Sequence, residues 1–399
     1  MVTHSKDTIE YNEIKKIYKR VRGTPITAER MSKIKSATGA IRVFAGGATE
    51  IRANVSDLPN ANIISDPVVI VQSRGVIDFI YCNVPCTFKN EMWGYTSSDI
   101  YAVKFLFYYL KHNVDYFRNA GDGRSSFSQI SLPVTEEYKI PLLSSKEQQA
   151  IASVLSDFDE HIDNLTELIE KKKAIRDGAL EDLVSGRTRL DGFDGEWVEM
   201  TLEDICVPNG LVRGPFGGSL KKEMFVSKGN KVYEQRNAIY KSVRIGDYYI
   251  SNRKYNELSR FAVKADDFIV SCSGTIGKIF KIPKQYKRGI INQALLKISI
   301  DQTKCNLNYF YKYFEWDKFQ DSIIDNTQGG AMKNLVGMDI FRKTVILMPR
   351  DITEQKAIAQ IISAMDEEIE SLKIEKEKMI QIKEGAMDDL LTGRVRLKV

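Results

Sequence analysis

Glu147-Gln148-Gln149-Ala150-Ile151-Ala152 and, 207 positions later, Glu354-Gln355-Lys356-Ala357-Ile358-Ala359 open two copies of one stretch. The match runs without a gap to Leu190 and Leu397, through Asp159-Glu160 and Asp366-Glu367, Gly178-Ala179 and Gly385-Ala386, and Gly186-Arg187 and Gly393-Arg394. About half of the positions are identical, well above chance. In the first copy, Ile151, Leu155, Phe158, Ile162, Leu165 and Ile169 are spaced by alternating fours and threes. The second copy repeats the stripe at Ile358, Ile362, Met365, Ile369 and Leu372. That spacing predicts a long helix with a coiled-coil seam. Ser144 or Ser145 is expected to cap the first helix and Thr353 the second, with Glu147 and Glu354 near the positive helix ends. Gly186 and Gly393 stand where a helix stops.

About 40 helical residues at 1.5 Å each make a rod of roughly 60 Å. A rod with an apolar stripe needs a partner, and the two copies supply one for each other. Leu155, Phe158, Ile162 and Leu165 are expected to meet Ile362, Met365, Ile369 and Leu372. If each helix packed only on its own globular neighbour, a wider and less regular stripe would be expected.

The repeats divide the chain into segments 1–143, 144–190, 191–350 and 351–399. The first and third read as mixed α/β. The third has strand-like runs at 231–233, 247–250, 267–271, 278–282 and 294–300, then a helix over 308–323. The first has runs at 41–44, 67–72 and 76–81 and a helix near 100–110. The net charge of +5 conceals a division. Segment 1–143 carries 18 Lys+Arg against 14 Asp+Glu, and 191–350 carries 25 against 18, so they are +4 and +7. The helical segments carry 7 against 10 and 8 against 11, so each is −3. Basic globular parts suit phosphates, and acidic rods suit protein partners.

Several chemistries find little support. The chain has three histidines, at 4, 112 and 161, which makes a Ser-His-Asp set implausible. Cys82 and Cys86 lie four apart without a second pair to complete a zinc set. The five irregularly spaced cysteines suit a reducing cytosol. No unbroken apolar run reaches membrane-spanning length, and residues 1–10 lack the apolar core of a signal peptide. Neither an Asp/Asn-Pro-Pro-Tyr/Phe methyltransferase motif nor a Gly-x-Gly-x-x-Gly turn occurs.

Loop motifs in the third segment carry residue types that contact nucleic acid. Arg213-Gly214-Pro215-Phe216-Gly217-Gly218-Ser219-Leu220-Lys221-Lys222 could bring backbone amides to phosphates, but it lacks Walker spacing and suits a glycine-rich surface turn equally well. Ser273-Gly274-Thr275-Ile276-Gly277 makes a tight hydroxyl-bearing turn. Asn292-Gln293 offers two amides of the kind that pair with adenine, although such residues more often end strands. Gly-rich polar runs, 121–128 and 328–335, occupy equivalent places in the two halves.

With these motifs in view, nearly the whole chain resembles the specificity subunits of type I restriction–modification systems. The paired helical repeats, Gly214-Pro215-Phe216-Gly217, Ser273-Gly274-Thr275-Ile276-Gly277 and Ile291-Asn292-Gln293 carry the resemblance. In the first segment it rests on Gly23-Thr24-Pro25-Ile26-Thr27, Ala45-Gly46-Gly47 and Ser73-Arg74-Gly75-Val76-Ile77. The Trp-x4-Leu start seen at Trp197 and Leu202 is missing there. The resemblance implies an α+β fold: two target-recognition domains, 1–143 and 191–350, and two helical spacers, 144–190 and 351–399, paired as an antiparallel coiled coil in a pseudo-twofold tandem repeat. It implies a non-catalytic, cytoplasmic, prokaryotic subunit that reads a bipartite DNA target and docks two methyltransferase subunits, which two restriction subunits can join. It implies no cofactor or metal in this chain, S-adenosylmethionine in the methyltransferase partner, and ATP with Mg in the restriction partner.

Residue type and loop position nominate Arg22, Thr24, Arg74, Arg124 and Ser126 as DNA contacts in the first domain. In the second they nominate Arg213, Ser219, Lys221, Lys222, Arg236, Asn237, Arg253, Tyr255, Ser273, Asn292, Gln293, Lys333 and Asn334. The rivals are a coiled-coil scaffold that does not read DNA and a nuclease with an unrecognised site.

Overall fold

A computed structural model of the chain describes residues 2–3, 9–47, 49–121, 128–325 and 334–397. It separates into two compact units, Met1–Glu167 with Lys373–Val399, and Leu168–Leu372.

The first unit has seven principal strands: β1 (Lys19–Arg22), β2 (Ile41–Ala45), β3 (Thr49–Ala53), β4 (Val68–Gln72), β5 (Asp78–Cys82), β6 (Cys86–Phe88) and β7 (Trp93–Thr96). They form an antiparallel sheet in the order β1-β7-β4-β5 and a smaller sheet, β3-β2-β6, in which β2 and β6 run parallel. All five residues of β4 are buried, as its unbroken β-branched run requires. Helix α1 (Ile100–His112) begins where the Asp99 carboxylate accepts hydrogen bonds from the Tyr101 and Ala102 amides. Its Val103, Phe105, Leu106 and Leu110 share a core with Val69, Val71 and Phe79. The long helix α2 (Ser145–Val184) brings Ile151 and Leu155 to that core, where Leu390 and Leu391 of the second long helix also pack.

The second unit repeats this plan. Its strands are β8 (Cys206–Arg213), β9 (Asn230–Tyr233), β10 (Tyr249–Ile250), β11 (Phe268–Ser271), β12 (Ile279–Lys281), β13 (Gly289–Ile291) and β14 (Leu295–Ile300). The larger sheet runs β8-β14-β11-β12, and in the smaller one β10, β9 and β13 neighbour each other, with β9 and β13 parallel. Strand for strand, these are the orders of the first unit. Helix α3 (Leu307–Glu315), capped by Asn306, corresponds to α1. The expected single helix breaks at Trp316, which is extended, and resumes over Asp317–Ile323. The second long helix, α4 (Ile352–Leu391), packs Ile358, Ala359 and Ile362 in a core with Leu180, Leu183 and Val184 of α2.

In each unit the long helices run antiparallel. Asp159 pairs with Lys383 in the first, while Lys172 pairs with Glu368 and Arg176 with Asp366 in the second. This corrects the expected partners. Leu155 and Phe158 group with Ala386, Met387 and Leu390, whereas Ile362 and Met365 group with Leu180 and Leu183. The 207-residue offset aligns chemically equivalent positions, and antiparallel pairing sends equivalent positions to opposite ends. Leu165 and Ile369 are buried, and Ile162 and Leu372 are half-buried.

The helix ends are built alike. Ser144 Oγ accepts from the Glu147 amide at 3.3 Å. At α4 the side chain that accepts is Asp351, from the Thr353 amide at 2.7 Å, and not Thr353 as expected. Past each helix, Gly186 and Gly393 adopt φ of +72° and +73°. Beyond them, Arg189 forks onto buried Glu354 at 2.7 and 2.8 Å, and Arg396 forks onto buried Glu147 at the equivalent place. Trp197 covers Gly186, and Ile9 covers Gly393. Leu202 and Ile14, five residues after these, are fully buried, their amides bonded to the Thr344 and Tyr138 carbonyls at 3.0 and 3.1 Å. The missing Trp-x4-Leu is therefore present in the first unit as Ile9-x4-Ile14.

Candidate nucleic-acid interface

Parallel strands end together, so the loops that follow them meet at one edge. In the second unit the ends of β9 and β13 are joined by the Asn292 amide donating to the Tyr233 carbonyl at 2.9 Å. The end of β11 joins them through the Cys272 amide, which donates to the Ala294 carbonyl at 2.9 Å. At Gly214, past β8, a Cβ would strike the Asn292 carbonyl, so only glycine permits this approach. Arg213, Gln235, Ser273, Asn292 and Gln293 therefore converge from the ends of four strands. The Gln235 amide lies beside Gly274. Arg213 is close enough to Cys272 to oppose the burial that pushes this thiol up to about 11.

Two polar atoms here are buried without a hydrogen-bond partner, Arg213 Nε and Gln235 Oε1. Unmet donors and acceptors inside a protein are costly and call for an explanation. Beside them a cavity of 290 Å³ is lined by Pro215, Lys222, Phe225, Glu234, Tyr248, Asn292 and Gln293, among others. The Phe225 and Tyr248 rings stack in its wall at 4.7 Å. Lys231, next to the lining residue Val232, is buried and donates to the Gly246 carbonyl at 2.6 Å, and burial lowers the pKa of its ammonium.

The nominated residues divide. Arg213, Ser219 and Ser273 are half-buried, and Lys221, Lys222, Arg236 and Gln293 are exposed. Asn292 is half-buried, its Oδ1 accepting from the Ala294 amide at 3.0 Å. Arg236 leans on Glu234 at 3.2 Å. Asn237 is wholly buried, because its amide closes a capping box with Glu234 and donates to the Ser242 and Ile245 carbonyls. It holds the loop's shape and presents nothing outward. Arg253 and Tyr255 sit on a helix that follows β10, whose Ile250 pairs with Asn230 at the start of β9, the other end from Gln235. Tyr255 lies under the Arg288 guanidinium at 4.1 Å. Lys333 lies outside the described residues, and Asn334 contributes backbone pairing with Asp325.

The first unit makes the same edge with other side chains. Gly23 approaches the Phe88 and Lys89 carbonyls as Gly214 approaches that of Asn292. The Lys89 amide donates to the Phe44 carbonyl at 3.0 Å, and Ser73 Oγ donates to the Glu91 carbonyl at 2.7 Å. Arg22 and Arg74 are exposed on this edge. Thr24 is buried, its hydroxyl 2.7 Å from that of Thr87 and accepting from the Asn62 amide. It is a structural residue, because the close backbone approach at Gly23 carries it inward. Arg124 and Ser126, like most of the two Gly-rich runs, lie outside the described residues. Gln235, Lys89 and Asn90 were not among the nominated residues. Asn90 follows the strand paired in parallel as Gln293 does, and only that pairing singles it out.

Among the described residues, no group of three or more His, Cys, Asp or Glu is arranged to hold a metal, and no helix is long and apolar enough to cross a membrane.

Two mixed α/β units of one topology, each with its own antiparallel pair of helical stretches, define a duplicated architecture. A family model described as type I restriction modification DNA specificity domain matches residues 25–174 and again 194–383. The chain belongs to this family, the specificity subunits of type I restriction–modification systems, which are the non-catalytic parts of those systems. The provisionally named MjaX specificity subunit of Methanocaldococcus jannaschii is 27% identical over 311 residues, covering 74% of this chain and 68% of that one. The MjaVIII type I restriction enzyme specificity subunit of the same organism is 24% identical over 331 residues, covering 78% and 73%. The fold is similar to the crystal structure of the S subunit from M. genitalium, with a TM-score of 0.60 and 16% identity over 97% of this chain and 96% of that one.

Proposed function

We propose that the chain reads a bipartite, asymmetric DNA target, one half-site with each globular segment, 1–143 and 191–350. The observation that carries this is the same loop edge built twice with different readers. Arg22, Arg74, Lys89 and Asn90 stand on one edge, and Arg213, Gln235, Ser273, Asn292 and Gln293 on the other. A shared frame aims both at the same kind of ligand, and unlike side chains select unlike sequences. Lysines and arginines supply the salt-dependent phosphate contacts, and the amides and arginines supply groove readout.

The helical segments, 144–190 and 351–399, would dock two methyltransferase subunits, which bring S-adenosylmethionine, and restriction subunits, which bring ATP and Mg, in the cytoplasm. Ile175 and Ile382, identical residues 207 apart, are both more than half exposed on the long helices, which favours a partner that binds twice. Enrichment from randomised duplexes by the chain co-purified with its methyltransferase tests the reading. A split motif is expected, and Arg213→Ala and Asn292→Ala should relax one half-site alone. Recovery of no motif would favour a scaffold, and metal-dependent cutting by the isolated chain a nuclease.

A further inference from the structure

One residue on the second unit's reading edge is out of keeping with its surroundings. Phe216, at the tip of Arg213-Gly214-Pro215-Phe216-Gly217, is 66% exposed, as exposed as any large hydrophobic residue of the described chain. Burying a phenylalanine side chain is favourable, so an idle ring would pack inward, and the cavity lined by the adjoining Pro215 offers the space. The backbone prevents this. Gly214 is clamped on the Asn292 carbonyl and its amide donates to the Leu295 carbonyl at 2.9 Å, which fixes the start of the loop. Pro215 fixes the next φ. The Arg213 guanidinium lies over the ring, 5.9 Å from its centre. The ring thus stands among the groups that face the proposed DNA.

We propose that Phe216 is a wedge that enters the base stack of the half-site read by the second unit and kinks it there. Apolar side chains inserted between base steps unstack and bend a duplex. The step that yields most readily is pyrimidine–purine, TA or CA/TG, and the inference names such a step as the ligand. Specificity then arises partly from how easily the site deforms, beyond the edges touched by Asn292 and Gln293. The aromatic wedge is one-sided. In the first unit the place of Phe216, two residues after the clamped glycine, is taken by Pro25, which is exposed but carries no aromatic ring, while Thr24 and Ile26 beside it turn inward.

This inference rests on the proposed DNA reading, and the test separates the two. The full chain, co-purified with its methyltransferase, is bound to its enriched target, and thymine reactivity to permanganate is mapped across both half-sites. Each of the named steps, TA and CA/TG, carries a thymine on at least one strand, so an unstacked step of this kind reveals itself. The expected result is one hyper-reactive step in one half-site with the wild type and with Phe216→Leu. In Phe216→Ala that reactivity should disappear and binding should weaken roughly five- to hundred-fold. Phe216 is exposed, so the alanine variant should fold normally. If both half-sites stay stacked under the wild type, or Phe216→Ala leaves the hyper-reactive step unchanged, the wedge is refuted while the DNA reading stands. If no target is enriched, the reading fails first and the wedge with it.

Discussion

Replacing Glu354 with alanine should destabilise the second unit by about 3 kcal/mol. The Glu354 side chain is 1% exposed and takes both hydrogen bonds of the Arg189 fork. Stranding one member of a buried pair costs about 3–5 kcal/mol. Arg189 is 32% exposed, so water can partly solvate it, and about 2 kcal/mol is the better figure. The Trp197 Nε1–H also donates to Glu354, at 3.2 Å, and losing that acceptor adds about 1 kcal/mol. Glu147→Ala removes the equivalent carboxylate in the first unit, where no indole occupies the place of Trp197, so its cost should be nearer 2 kcal/mol. Hydrogen exchange resolved by mass spectrometry reports the opening of each unit separately. Glu354→Ala should lower protection in Leu168–Leu372 and spare the other unit. Arg189→Ala combined with Glu354→Ala should cost clearly less than the two single changes added, because no charge is left stranded. A loss below about 1 kcal/mol for Glu354→Ala, or strict additivity in the double variant, would refute the reasoning.

Gly186→Ala and Gly393→Ala should each cost about 1–2 kcal/mol by thermal denaturation, because both sites need a left-handed backbone and the new methyl meets Trp197 or Ile9. At Asp366, burial pushes the carboxyl up, but hydrogen bonds from Lys312 and Arg176 outweigh it and hold the pKa below its ordinary 3.8. The stability this group contributes is therefore complete above about pH 4–5 and lost as pH falls through the lowered value. Asp366→Asn should flatten the acid limb of a stability-against-pH curve in this unit, and an unchanged limb would contradict the assignment. Asn237→Ala strips a buried capping box and two further hydrogen bonds. It should destabilise the unit by about 2–4 kcal/mol in urea titrations, and an effect confined to DNA affinity would return Asn237 to the reading surface.

The long helices were legible because their signal is local and repeated: a three-four stripe, a first-turn glutamate and a closing glycine, all present twice. Their partners were not legible, because like positions invite pairing and antiparallel geometry forbids it. The strands of the larger sheets were largely visible as β-branched runs such as Val68–Gln72. The three-residue strands Cys86–Phe88 and Gly289–Ile291 were not. Each gains its identity from a parallel neighbour about 45–60 residues away, and nothing local marks them. The reading edge was half legible for the same reason. Arg213, Ser273 and Asn292 stand out by type. Gln235 becomes notable only when Gly274 lies beside its amide, and Thr24 and Asn237 reveal their internal roles only once their partners are in place.

The two units differ in continuity, and that matters during synthesis. Leu168–Leu372 is one unbroken segment, complete as soon as its last residue leaves the ribosome. The other unit needs Lys373–Val399 to finish what Met1–Glu167 begins. Ile151 and Leu155 find part of their core, Val69, Phe79 and Leu106, already made, but Ala386, Met387 and Leu390, which complete the cluster around them and Phe158, are made much later. At roughly 5–20 residues per second the interval is on the order of ten seconds or more. Throughout it the face of that cluster which Ala386, Met387 and Leu390 cover stays open to solvent and to proteases. The later-coded recognition unit is thus the earlier one to mature.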